Sequence, residues 1–325
     1  MANENAIASF STQRQSGMTL VELLVALAIG SFLMIGAVQV YNQSRQAFVI
    51  NESIARVQET AQFAMDTLEA DLRMASNWGM HSRGTAVEGR ALIADPNPNG
   101  LPAPAACGPD WALDLGRPVE GDNNAYGLPC AATGGAQANS DTITVRRATV
   151  AATPLAAGRL QIQSTRVQGV LFADGAIPPG FTVADSETHD LIVNTYYVAA
   201  NSQLIPGVPT LRRQSLVGGA IVDQEIAPGV ENIQLQLGVD VDEDNTVDRY
   251  INPGDPILDP LDANFIPGIR VITARLWMVI RGVSLEVGIQ DNANYAPADV
   301  NLGQFNDQFR RMMVSKTVLL RNART

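Results

Sequence analysis

The chain has 325 residues, of which 46% are hydrophobic and only two are cysteine. Its 33 acidic and 22 basic residues give a net charge of −11, which argues against nucleic acid as a partner because phosphates repel a strongly acidic protein. The length suffices for one large domain of about 250 residues behind an N-terminal anchor.

A short polar leader, residues 1–17, precedes an apolar run from Met18 to Tyr41 that carries a single charge, Glu22. Because about 20 apolar helical residues cross a bilayer core, we predict that this run spans the membrane. An ionisable group inside such a segment is costly and is by default functional. A secretory signal peptide would have a shorter apolar region. An ordinary single-pass anchor is the alternative, but it explains neither Gly17 nor Glu22.

The residues Gly17-Met18-Thr19-Leu20-Val21-Glu22 resemble the class III signal of type IV pilins and type II secretion pseudopilins. The resemblance implies that prepilin peptidase cuts after Gly17 and that Met18 becomes the methylated N-terminus. It also implies that Glu22 aligns the subunit in the filament, by facing the terminal amine of a neighbour. A carboxylate and an ammonium are each costly alone in a dry core and tolerable together. The implied location is the bacterial inner membrane, with a single pass and a periplasmic head, and then the pilus at the cell surface.

The apolar pattern continues beyond Tyr41 as one face of a helix. Apolar residues recur at steps of three and four from Ile50 to Ala75, and no proline occurs before Pro96. We predict one helix over about 18–76, with 18–41 as the transmembrane and filament-core half and 42–76 as the amphipathic half. At 1.5 Å per residue this helix is about 90 Å long. An independent coiled coil is the alternative for the second half.

The end of this helix is similar to that of PilW-type minor pilins of the type IV pilus. The similarity rests on residues 55–64, Ala-Arg-Val-Gln-Glu-Thr-Ala-Gln-Phe-Ala, and on Leu72-Arg73-Met74-Ala75. It implies a subunit that helps to start or cap the filament and supports adhesion or twitching motility. Its implied partners are other minor and major pilins, and a tip adhesin is a further candidate. A J-type minor pseudopilin of a type II secretion system and a membrane-anchored envelope binding module are the alternatives.

After Asn77 the chain changes to loops and short strands. Residues 94–110 contain five prolines and two glycines, which exclude a helix or a central strand. In Glu231–Val239 apolar residues alternate with Gln and Gly, the pattern of a half-buried strand. Most connections are too short for crossover helices. We therefore predict an α+β fold in which the long helix packs on the mainly antiparallel sheet of a head, residues 77–325. The predicted strands are Asp141–Val150, Arg159–Thr165, Leu191–Val198, Thr210–Val217, Glu231–Val239, Ile269–Arg281 and Met312–Leu320.

The two cysteines, Cys107 and Cys130, flank a stretch rich in Gly, Pro and Asn. If the leader signal exports the head, a disulfide between them will persist. Closing a loop of about 24 residues stabilises a fold by about 3 kcal/mol on the chain-entropy model. A zinc site lacks ligands, because the only histidines, His81 and His189, show no metal spacing with either cysteine.

An acidic segment, Asp240 to Asp248, places five carboxylates within nine residues. Like charges at this density repel one another unless a cation is bound. The segment matches the ligand positions of a calcium loop of the EF-hand kind, with Asn245 at its sharp turn. The matching ligands are the side chains of Asp240, Asp242, Asp244 and Asp248 and the carbonyl of Thr246.

Two features depart from that calcium loop: position 12 is Ile251, without a bidentate glutamate, and the flanking residues have the pattern of strands. An acidic hairpin turn is therefore the alternative. PilW-like chains often carry a similar acidic stretch before Asp-Arg-Tyr, here Asp248-Arg249-Tyr250, and related pseudopilins bind calcium. The resemblance thus favours a calcium ion at this turn, and we predict no required cofactor.

Catalytic motifs are missing from the sequence. It contains no Gly-x-Ser-x-Gly, no Gly-Lys-Ser/Thr, no His-Glu-x-x-His and no dinucleotide fingerprint. A lone histidine in a strand-rich domain is usually a surface or packing residue, so we predict that the chain is not an enzyme. The last sixty residues are basic, with eight Lys/Arg against four Asp/Glu, and form either a solvated sheet face or a subunit contact.

Overall fold

The computed structural model describes residues 17–324, so the predicted leader lies outside the described residues except for Gly17. One α-helix, α1, covers Leu20–Met74, and four 3-10 helices cover Gly84–Ala86, Ala105–Cys107, Pro256–Leu258 and Arg321–Arg324. The strands are β1 (Val87–Glu88), β2 (Val119–Asp122), β3 (Thr142–Ala148), β4 (Gln161–Ser164), β5 (Gly169–Phe172), β6 (Glu187–Ala199), β7 (Thr210–Val217), β8 (Ala220–Pro228), β9 (Val230–Asp240), β10 (Arg249–Ile251), β11 (Arg270–Arg281), β12 (Asn294–Tyr295), β13 (Gly303–Gln304) and β14 (Arg311–Leu319).

The single long helix is found, two residues shorter at each end than predicted. At its C-terminus Ser76 has a φ of 64°, the left-handed conformation in which helices commonly end. The Ser76 hydroxyl donates a hydrogen bond to the carbonyl of Ser82 at 2.7 Å, which holds the chain as it turns away.

The chain divides into two units, of which the second begins at Ser53. In the first unit, all of residues 17–52 are exposed. Among the described residues α1 is the one helix that is long and apolar enough to cross a membrane, judged by length and composition.

The second unit is called the head from here on, so that the head now includes residues 53–76 as well as the head that the sequence predicts. Within it the last part of α1 is amphipathic. Its buried stripe runs from Val57 to Ala75 and packs against residues of β9 and β11 in one hydrophobic cluster. The predicted stripe is therefore confirmed from Val57 onward, whereas Ile54 is half-buried and Ile50 is exposed. Because strands cover the stripe, the coiled-coil alternative is wrong.

The described residues of the head form three sheets, of eight, four and two strands. In the largest, β6 pairs with β4, β3 and β7, and β8 adds to β7. The four-stranded sheet has the order β10-β9-β11-β14. Only β1 and β5 are parallel among the described pairs, so the mainly antiparallel sheet is confirmed.

All seven predicted strands are present, with ends shifted by a few residues. In β9 the predicted inward residues, among them Ile233 and Leu235, are fully buried. The predicted half-burial of this strand is wrong at Gln234, which is also fully buried. Its amide donates a hydrogen bond to the carbonyl of Asn139 at 3.0 Å, so a distant loop covers the polar face of the strand.

Two hydrophobic clusters form the core of the head. The first contains the stripe of α1 and the apolar residues of β9 and β11. The second contains Trp78, Trp111 and residues of β3, β4 and β5. Strand β6 contributes to both clusters, with Tyr196 and Val198 in the first and Leu191 and Val193 in the second.

The predicted disulfide between Cys107 and Cys130 is present, with an S–S distance of 2.03 Å. Cys107 is buried in the second cluster.

We expect reduction of the disulfide to lower the free energy of unfolding by about 3 kcal/mol, because it frees a loop of about 24 residues in the unfolded chain. Urea unfolding of the full chain in detergent, followed by tryptophan fluorescence, measures this change. The double variant Cys107→Ser, Cys130→Ser is the control, and reductant should leave its stability unchanged. Equal stability of the oxidised and reduced wild type would contradict the expectation.

Candidate functional site

The start of α1 is fixed by two side chains of the predicted cut-site motif, residues 17–22. The backbone N–H and the hydroxyl of Thr19 donate hydrogen bonds to the Glu22 carboxylate at 2.9 and 3.0 Å. In return the backbone N–H of Glu22 donates to the Thr19 hydroxyl at 3.3 Å. This reciprocal arrangement is a capping box, with Thr19 as the N-cap residue. It is the physical reason that the helix begins at Leu20 and not at Met18.

Sequence reasoning missed the role of Thr19, although Thr-x-x-Glu before an apolar run is a known signal for a helix start. The residues at the proposed cut, Gly17 and Met18, are exposed and lie before the helix. The predicted cut therefore lies outside the first turn of the helix.

Glu22 is the one charged side chain of α1 before Arg45. Between the two residues the helix exposes apolar side chains on all sides, such as Phe32, Leu33 and Val38. A helix that is apolar all round is stable only in a membrane or in the core of an assembly.

The acidic turn between β9 and β10 brings together three of the five predicted calcium ligands. Asp240, Asp242 and Asp244 each offer one carboxylate oxygen, and the three oxygens lie within 4.8 Å of one another. Asp242 and Asp244 are exposed, whereas Asp240 is fully buried at the end of β9. The turn joins two antiparallel strands, as in the hairpin alternative, and the loop is therefore not flanked by helices.

The buried Asp240 has one oxygen in use and one without a partner. Its Oδ2 accepts hydrogen bonds from the backbone N–H of Asn245 at 3.0 Å and from Arg270 Nη2 at 2.7 Å. Its Oδ1 is buried and accepts no hydrogen bond from any described residue. An unpaired carboxylate oxygen in this position costs free energy unless a cation or water binds it.

The backbone of the turn adopts the conformation that the sequence predicts at Asn245, with a φ of 67°. The pKa of Asp244 is lowered, first by hydrogen bonds from the hydroxyl and the N–H of Thr246, and in smaller part by the charge of Arg270. Asp244 is therefore ionised over a wide pH range, as a cation ligand must be.

The other predicted ligands are placed differently. Asp248 lies outside the group of three, and its Oδ2 accepts a hydrogen bond from the N–H of Val241 at 2.7 Å. That bond closes the turn, a task that the sequence pattern does not reveal. Arg270, which sequence reasoning also missed, adds a positive charge next to Asp240.

The histidines have different surroundings. His189 is buried in β6, and its Nδ1 lies 2.9 Å from the carbonyl of Thr149, as expected of a packing residue. Burial lowers the pKa of His81, which keeps that ring neutral at pH 7.

Comparison with known proteins gives two family matches. Residues 195–322 match the family model of Type IV Pilus-assembly protein W, PilW, and residues 12–38 match that of the Prokaryotic N-terminal methylation motif. No curated protein sequence matches the chain. Among solved structures, a type IV-like pilin from Thermus thermophilus is similar with 11% identity and a TM-score of 0.28, covering 57% of this chain and 78% of its own. The first match covers the four-stranded sheet with the acidic turn, and the second covers the cut-site motif and the start of α1: the chain is similar to PilW over residues 195–322 and carries the N-terminal methylation motif.

Proposed function

We propose that this protein is a pilin, a minor subunit that helps to start or cap the type IV pilus and in this way supports adhesion or twitching motility. The observation that carries the proposal is α1, whose exposed apolar half begins at a capped cut-site motif and continues without a break into the amphipathic half. Prepilin peptidase removes residues 1–17, and the membrane holds the subunit until the apolar half enters the filament. The match to the PilW model supports the pilus over the alternative of a J-type pseudopilin.

Glu22 has a second task in this proposal, that of aligning the subunit. In the free subunit its carboxylate is bonded to Thr19. In the filament it faces the amine of a neighbouring Met18, and the two opposite charges make burial tolerable. The partners are prepilin peptidase and other pilins, minor and major, with a tip adhesin as a further candidate.

We expect the protein from its native membrane to lack residues 1–17 and to carry one methyl group on Met18, which intact-mass spectrometry detects. The variant Gly17→Leu should keep its leader, because the resemblance places the cut after a residue without a side chain. Ser16→Ala, which leaves Gly17 in place, is the matched control and should be cut normally. If the wild type kept its leader in cells with an active prepilin peptidase, the filament function would be lost.

We also propose that the acidic turn binds one calcium ion. Asp240, Asp242 and Asp244 supply carboxylate oxygens, the ligand type that calcium prefers. The buried, unpaired Oδ1 of Asp240 supports a cation here, because it is the one oxygen of that residue that the fold leaves unsatisfied. The ion would relieve the repulsion among the carboxylates and tie the turn to the end of β9.

Calorimetry on the full chain in detergent tests this proposal. Calcium should release or absorb heat with a single site per chain, and Asp242→Ala combined with Asp244→Ala should abolish the signal. The control is Glu243→Gln, which removes a charge from the same turn but lies outside the group of three. The absence of heat at millimolar calcium in the wild type would contradict the proposal.

A further inference from the structure

The last strand, β14, forms one edge of the four-stranded sheet and pairs only with β11 among the described strands. Its register with β11 is regular over nine residue pairs. At the two ends of this ladder, Gly282 N–H donates to the Arg310 carbonyl at 2.8 Å and Leu320 N–H donates to the Ile272 carbonyl at 2.9 Å. Residues with even numbers in β14 therefore direct their backbone groups towards β11, because bonded pairs alternate along an antiparallel ladder.

By the same alternation Met313, Ser315, Thr317 and Leu319 direct their N–H and C=O groups away from the sheet. All four side chains are exposed, with 43% for Met313 and 37% for Leu319, so this edge is open to solvent. A row of unpaired donors and acceptors at the spacing of a strand is complementary to one other structure, a second extended strand.

A lysine side chain on an edge strand often prevents another strand from pairing there, but the side chain of Lys316 is engaged in an ion pair. Its ammonium is paired with Glu69 and lies 3.7 Å from Asp66, both on α1. The strand has neither proline nor a bulge with β11. Nothing in β14 itself therefore prevents another strand from adding to it.

The other edge strands in the described part of the head are less suited to pairing with an added strand. Strand β8 is equally long, but its register with β7 shifts at Arg212 and it ends at Pro228. The remaining outer strands, β1, β2, β10, β12 and β13, have four residues or fewer. Among the described strands, β14 is therefore the one long edge strand with a regular register and no pairing partner on its outer side.

We propose that β14 is a docking edge for an extended segment of a neighbouring pilin, which adds to the four-stranded sheet as a fifth strand beyond β14. This inference rests on the proposed filament function, because subunits that share the same kind of anchor meet one another side by side. The backbone bonds supply the attraction, and Met313 and Leu319 on the exposed face supply apolar contacts for alternate side chains of the incoming strand.

A proline at an outward position tests the edge without disturbing the fold. Thr317→Pro removes an N–H that β11 does not use and places a ring where the added strand would lie. We expect the variant to unfold at the same urea concentration as the wild type and to be cut at Gly17, while its amount in sheared pili falls at least tenfold. A photo-crosslinker at Ser315 should form an adduct with another pilin in the wild type and lose it in the variant.

The controls separate the two proposals. Val314→Pro removes an N–H that bonds to β11 and should unfold the head, which verifies the alternation. If Thr317→Pro itself unfolds, Met313→Pro at the other outward position takes its place. Folded, cut protein that enters pili as the wild type does would overturn the docking edge. Wild-type protein that is never cut, or never found in pili, would instead overturn the filament function.

Discussion

Asp71→Ala is expected to destabilise the head by about 3–5 kcal/mol, the usual cost of removing one partner of an ion pair that is largely buried. Asp71 lies on the buried stripe of α1 and is 5% exposed. Its Oδ1 accepts two hydrogen bonds from Arg147, at 2.8 and 3.0 Å. Its Oδ2 accepts one from Asn194 and one from the hydroxyl of Tyr196, both at 2.5 Å. The alanine variant leaves all three donors unsatisfied beneath the helix.

Urea unfolding of the full chain in detergent measures this effect, with the buried Trp78 and Trp111 as fluorescent reporters on the head. The control is Asp66→Ala on the same helix, where the carboxylate is 54% exposed and lies 3.7 Å from Lys316. An exposed pair of this kind contributes at most about 1 kcal/mol. If the two variants lost equal stability, Asp71 would not be what fixes the helix to the sheet.

Arg311→Met is expected to cost a similar amount, about 3–5 kcal/mol. The Arg311 side chain is 1% exposed and stacks 3.7 Å from the ring of Phe305. It donates to Glu231 at 2.6 Å, to Asp307 at 2.6 Å and to Asp291 at 3.3 Å. Methionine keeps the apolar stem but leaves three carboxylates facing one another. The hydrogen bonds from Arg311 are the main cause of a lowered pKa of Asp307.

The lowered pKa of Asp307 makes the stability lost in Arg311→Met depend on pH. An aspartate with a lowered pKa in the folded state stabilises the fold above its ordinary value of about 3.9 and loses that contribution as pH falls further. The advantage of wild type over Arg311→Met should therefore shrink below pH 4 in urea unfolding. Arg275→Met is the matched control in the same sheet. That guanidinium stacks 3.7 Å over Tyr250, a contact of about 1 kcal/mol, and its loss should be nearly independent of acid pH. A pH-independent loss for Arg311→Met would contradict the network.

The sequence predicted the elements that repeat a pattern over many residues. Apolar residues recur with a regular period in the stripe of α1 and in the long strands β9, β11 and β14, and this period is visible without a structure. Strand β8 was not predicted, although Gly218-Gly219 between two β-rich runs is a known hairpin signal. Strands of two residues, such as β1, are too short to show any period.

The buried charges could not be predicted, because their partners are far away in sequence. Glu231 and Arg311 are 80 positions apart, and Asp71 and Tyr196 are 125 apart. The basic last sixty residues indicated a solvated face or a subunit contact, yet Arg311 is buried within the head. In the acidic turn the sequence pattern grouped Asp240, Asp242 and Asp244, and the structure brings their carboxylates together. It did not indicate that Asp248 would close the turn or that Arg270 would pair with Asp240.

Strand β6 makes the two cores of the head mechanically dependent on each other. Its 13 residues contribute side chains to both clusters. Unfolding of one cluster therefore displaces a strand on which the packing of the other cluster depends. Strand β6 in this way couples the unfolding of one cluster to that of the other. Damage at Asp71, on the helix side, should therefore reach the tryptophans and the disulfide on the far side in one cooperative transition. We therefore expect the two clusters of the head to unfold together and not one at a time.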